Sequence, residues 1–144
     1  MIDRLRALFS EQVEEEQQLQ PELAAAALMF EVIWADHQIE ESELNVMKQH
    51  LSSAFDLEES RIDHIVAETK RLHDDSVGIH EFTSALNAHL SQTEKIDIVY
   101  ALWRIAVVDS SVDALEEHMI RRIADLLYVS HKEFIAAKIA ARGN

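Results

Sequence analysis

The sequence predicts an all-α fold, a compact bundle of seven to eight helices with an internal pseudo-two-fold repeat. Three observations predict it. Only two glycines and one proline occur in 144 residues. So few breakers suit long helices joined by short turns built from other residues. No stretch alternates apolar and polar residues with the period of a strand. Two stretches that are apolar almost all round, "LAAAALMFEVIWA" (23–35) and "KIDIVYALWRIAVV" (95–108), occupy matching places in a weak repeat. Helices of that kind need burial on every side, which packing against each other provides.

The elements follow in order. Residues 2–17 place Ile2, Leu5, Leu8, Phe9 and Val13 on one face of a helix. "EQVEEEQQLQ" then turns polar, which divides the chain into an N-terminal helical extension, 1–19, and a helical domain, 20–144. The apolar face of the extension needs cover, from the bundle or from a second chain, so a homodimer is one expectation. Pro21 suits the first position of a helix running to about Ala35. Further helices are expected over roughly 41–55 and 58–73. "HDDSVG" interrupts the pattern, and Ile79, Phe82, Leu86 and Leu90 resume it over 79–90. "SQTE" (91–94) is a capping box ahead of the helix at 95–108. The last two helices are expected over 113–127 and about 130–142.

Composition bounds the function. A domain of this length buries roughly 70% of its unfolded surface, enough for a true core. The formal net charge is −14. Such a surface repels phosphate and anionic lipid, which argues against nucleic-acid and membrane-surface binding and favours cations and basic protein surfaces. Protein partners are therefore expected. Cysteine is absent, which rules out disulfide and thiolate chemistry and fits a reducing cytosol. "MIDRLRALF" carries Asp3 early, unlike a signal peptide. The apolar run at 23–35 falls short of the ~20 residues a bilayer span needs. A cytoplasmic location is the expectation.

The repeat carries the candidate site. "WADHQIEESELNVM" (34–47) and "VVDSSVDALEEHMI" (107–120) share an acidic spacing. Asp36 matches Asp109, Glu40 matches Asp113 and Glu43 matches Glu116, each pair 73 residues apart. An aspartate at a helix C-terminus faces the negative end of the helix dipole, whereas acids at the next N-terminus are favoured there. One reading is structural: Asp113 and Glu116 form a capping box, and Asp36 or Asp109 caps the helix that follows. The other gathers Asp36, Glu40, Glu43, Asp109, Asp113 and Glu116 as ligands for a divalent cation, Ca²⁺, Mg²⁺ or Mn²⁺. A hydrolase using the same carboxylates with a metal as Lewis acid would need both acidic sets in one apolar pocket.

Other residues point to no chemistry. Eight histidines (37, 50, 64, 73, 80, 89, 118 and 131) lie outside any zinc-binding spacing and read as surface or interface residues. Trp34, Trp103, Phe30 and Tyr100 recur at helical spacing and read as core. No nucleophile elbow or phosphate-cradling glycine loop is present. Arg121 and Arg122 read as a solvated face.

The doubled pattern Asp-x-x-hydrophobic-acidic-x-x-Glu at helix junctions resembles the TerB family of tellurite-resistance-associated proteins. Residues 80–142, "HEFTSALNAHL" through "FIAAKIAAR", are similar to the bacterial TerB-like branch nearly throughout, and the resemblance covers roughly 20–142. It implies an all-helical, cytoplasmic protein with internal pseudosymmetry, linked to stress responses and able to bind divalent metal at the acidic junctions. It implies no enzymatic activity. The expected function is thus a non-enzymatic, acidic protein-interaction or stress-response module associated with tellurite resistance, the alternative being a divalent-metal sensor or buffer. The family pattern usually has Gly after the first Asp; here those positions are His37 and Ser110.

Overall fold

A computed structural model describes residues 19–109 and 112–143. Within them lie seven α-helices and no strand: α1 (Pro21–Ile33), α2 (Glu41–Phe55), α3 (Glu59–Asp74), α4 (Ile79–His89), α5 (Gln92–Val107), α6 (Ala114–Leu126) and α7 (His131–Gly143). A 3₁₀ turn, Trp34–Asp36, extends α1. The all-α expectation holds. The helix expected over 2–17 lies outside the described residues, as does Ser110.

α1 is the hub because its sequence leaves it no solvent face. Ala24, Ala25, Ala26, Leu28, Met29, Val32 and Ile33 are all fully buried. The run of alanines lets neighbouring helices come close. α1 packs against α2, α3, α4, α5 and α6. α5 is the second hub, with Val99, Leu102, Trp103 and Ile105 fully buried, and packs against α1, α2, α6 and α7. The contacts come in matching sets: α1 on α3 and α5 on α7, α1 on α2 and α5 on α6, then α1 on α6 and α5 on α2. α4, which packs on α1 and α6, has no counterpart among the described residues.

The left-handed turn positions among the described residues are not glycines. His37, Asp56, Ser76 and Tyr128 adopt left-handed conformations with φ of 62°, 52°, 61° and 59°. At Ser76 and Tyr128 the turn is a Schellman motif. Val77 N–H donates to Leu72 O at 3.0 Å and Ser76 N–H to His73 O at 3.0 Å, with Val129 to Ala124 and Tyr128 to Asp125 as the equivalents. These bonds satisfy carbonyls that the helix end would otherwise orphan, which offsets the steric cost of a side chain at positive φ.

Candidate functional site

Glu43 and Glu116 each occupy the third position of their helix, α2 and α6. Met47 and Leu51 follow Glu43 at intervals of four, and Ile120 and Ala124 follow Glu116 in the same way; all four apolar residues are buried. The glutamates therefore begin an inward-facing stripe. Glu43 is 2% exposed and Glu116 3% exposed, though each is an acid in the first turn of a helix.

The two carboxyl groups lie close enough to interact directly with each other. Glu116 Oε1 also accepts from Asp113 N–H at 3.3 Å, while its buried Oε2 receives no bond from an N–H or hydroxyl donor. Two ionised carboxylates cannot bond to each other, so one must keep its proton. The pair shares that proton. Burial, the interaction with Glu116 and the negative fields of Glu116, Asp109 and Asp36 push the Glu43 pKa up to about 9. The Glu116 carboxyl is also raised by burial, against the opposing pull of the bonds from Glu43 and Asp113. A proton shared with Glu43 relieves the repulsion that two buried carboxylates would otherwise feel.

The remaining sequence candidates divide. Asp36, at the end of the 3₁₀ turn, is half-buried, and its Oδ1 accepts Gln38 N–H at 3.0 Å. The expected capping of α2 by Asp36 is corrected: the short turn places its carboxylate over its own loop. His37 takes the left-handed conformation that glycine would favour and sets its ring edge-on to Trp34 with centroids 5.4 Å apart. Asp109 is exposed and, like Asp36, lies close enough for its charge to act on Glu43 and Glu116. α6 also packs directly on the 3₁₀ turn that carries Asp36. Glu40 and Asp113 are exposed N-cap residues. Asp113 Oδ1 accepts Leu115 N–H at 2.7 Å and completes the expected capping box with Glu116. Glu40 makes no side-chain cap. Four of the six carboxylates thus act on one place, and two stand outside it. Among the described residues, no three His, Asp or Glu side chains are arranged to hold a metal ion.

Sequence spacing missed two further pairs. His73 Nδ1 lies 2.9 Å from Glu31 Oε1 and ties α3 to α1, its ring edge-on to Phe30 and Trp34. His50 Nε2 lies 3.4 Å from Asp97 between α2 and α5, and burial holds its pKa below the usual range against the pull of Asp97. Partners 42 and 47 residues apart in sequence carry no local signal.

These features define a class: a small all-helical protein built around two central helices, with a buried carboxyl pair drawn from two similar acidic junctions. A family profile described as "Tellurite resistance protein TerB" matches residues 22–139, most of the chain, and the protein belongs to that family. No curated protein and no solved structure matches the chain. Among the described residues, no helix is long and apolar enough to cross a membrane.

Proposed function

We propose that this protein is a non-enzymatic helical module of the tellurite-resistance stress response. Its working centre is the Glu43–Glu116 carboxyl pair, which holds a proton and exchanges it for a divalent cation. The observation that carries this is convergence. A buried glutamate from each junction meets the other, with Asp36 and Asp109 acting on both. The matching helix contacts support reading the junctions as copies of one unit brought face to face. Buried Glu116 Oε2, with no N–H donor, is the kind of oxygen a hard cation accepts. Asp36, whose Oδ1 accepts Gln38 N–H, would join it by a movement of the 3₁₀ turn that carries it. That movement would carry the signal to a partner protein in the cytoplasm.

Calorimetric titration with Ca²⁺, Mg²⁺, Mn²⁺ and Zn²⁺ in two buffers of different ionisation enthalpy tests the reading. It predicts a binding heat that changes with the buffer, because a proton is released. It also predicts loss of that heat in a Glu43→Gln, Glu116→Gln double variant. No heat, or heat retained by the variant, would contradict it.

A second reading rests on the completed capping box. Glu116 Oε1 already serves Asp113 N–H, so the pair could act only as a polar pin between α2 and α6. On that reading cations leave the melting temperature unchanged, while Glu116→Ala still destabilises the fold.

A further inference from the structure

A chain with a formal net charge of −14 nevertheless has a groove whose charged lining is three cations and a single carboxylate. It has a volume of about 630 Å³ and runs between the C-terminal ends of α5 and α7, beside the turn that leads into α6. Arg104, Lys138 and Arg142 line it with Glu117, and Val107 and Val108 form part of its apolar wall. Lys138 is preorganised: its Nζ lies 3.1 Å from Glu117 Oε1 and 5.0 Å from the centroid of the Trp103 ring. Glu117 is also shared with Arg121, at 4.0 Å. Arg104 and Arg142 form no ion pair among the described residues. Lys138 and Arg142 stand four residues apart on α7, where like charges repel.

The helix dipole favours a cation in the last turn of α5 or α7, where Arg104 and Arg142 lie. It does not explain why both line one cavity with Lys138. Three cations against one carboxylate leave an excess positive charge in a groove with a partly apolar wall. Guanidinium forks match oxyanions in geometry as well as charge. The volume lies within the range of small-molecule sites and is far more than one inorganic ion fills.

We propose that this groove binds a small molecule bearing a multiply charged oxyanion group, phosphate or polycarboxylate. Arg104, Lys138 and Arg142 hold the anionic group, and the valine wall receives the carbon body. The groove borders Val112, one residue before the α6 cap Asp113.

The test is titration of the full chain with pyrophosphate and, separately, citrate, followed by ¹⁵N amide chemical shifts, with ionic strength matched by NaCl. The expected result is a saturable shift confined to residues around 104–108 and 138–142 with at least one anion. The anion that binds more tightly identifies the class. An Arg104→Gln, Arg142→Gln variant should bind at least about tenfold more weakly, since each arginine contributes charge-assisted bonds. If that variant fails to melt cooperatively, Arg142→Gln alone, on the exposed last turn, gives the same comparison. Absence of saturable shifts with both anions, or a variant that binds as tightly as the parent, would overturn the proposal.

Discussion

Glu43 shows how position outweighs residue type. At the first turn of an exposed helix a glutamate is a solvated acid stabilised by the helix dipole. Here the same residue begins the stripe continued by Met47 and Leu51, and is buried against Glu116. Its proton makes stability depend on pH. The folded pKa, about 9, lies above the ordinary 4.5, so between these values the native state holds a proton that the unfolded chain has released. Stability therefore falls as pH rises through this window, by at most about 1.4 kcal/mol per pH unit for one proton. His50 has the opposite sign, because its lowered pKa removes stability as pH falls below its unfolded value. Above about pH 7 it is neutral in both states. Melting temperature should accordingly drop between about pH 7 and 9 in the parent and stay flatter in Glu43→Gln, whose amide mimics the protonated acid. Equal slopes would show that Glu43 does not hold the proton. The acidic spacing was legible in sequence, but not which acids were buried. Burial follows from the way α2 and α6 present their stripes, which emerges only when distant helices pack.

The turns show a similar mismatch between residue and conformation. Ser76 sits at φ 61° in a Schellman turn. Ser76→Gly should stabilise by about 0.5–1 kcal/mol, relief of the side-chain strain exceeding the extra chain entropy; denaturant unfolding reads it directly.

Among the elements, helix caps separate residues that look alike in sequence. Asp113 and Glu40 occupy equivalent N-cap positions, yet only Asp113 accepts a backbone N–H. Asp113→Ala should cost about 1 kcal/mol, whereas Glu40→Ala should stay within about 0.5 kcal/mol. Matching losses in denaturant unfolding would contradict the observed geometry. Most helix boundaries were legible because starts and stops are local. "SQTE" marked the cap, with Ser91 Oγ accepting Glu94 N–H at 3.2 Å, but α5 begins at Gln92 inside that box and not at 95 as expected. The 3₁₀ turn was not legible: its residues continue the apolar run of α1, and its packing against α6 is a tertiary contact without a local signal.

At the scale of the molecule, two central helices organise the fold. Both hub helices could be read from their all-round apolar character, since no other arrangement buries them. The site could not be read so fully, because the meeting of α2 and α6 depends on tertiary packing across the chain. The net charge of −14 predicts no micromolar retention of duplex DNA or RNA at physiological salt. Retention in a filter or gel assay would show that the anionic field is locally overcome. If the two junctions converge on one carboxyl pair, Glu43 and Glu116 cannot titrate independently. In protein labelled with ¹³C at the glutamate side chains, the carboxyl resonances of Glu43 and Glu116 are followed from about pH 4 to 10. The account predicts that Glu43 is still protonated at neutral pH and titrates near 9, with Glu116 responding in the same step. Independent titration of both groups near 4.5, the ordinary value, would contradict it.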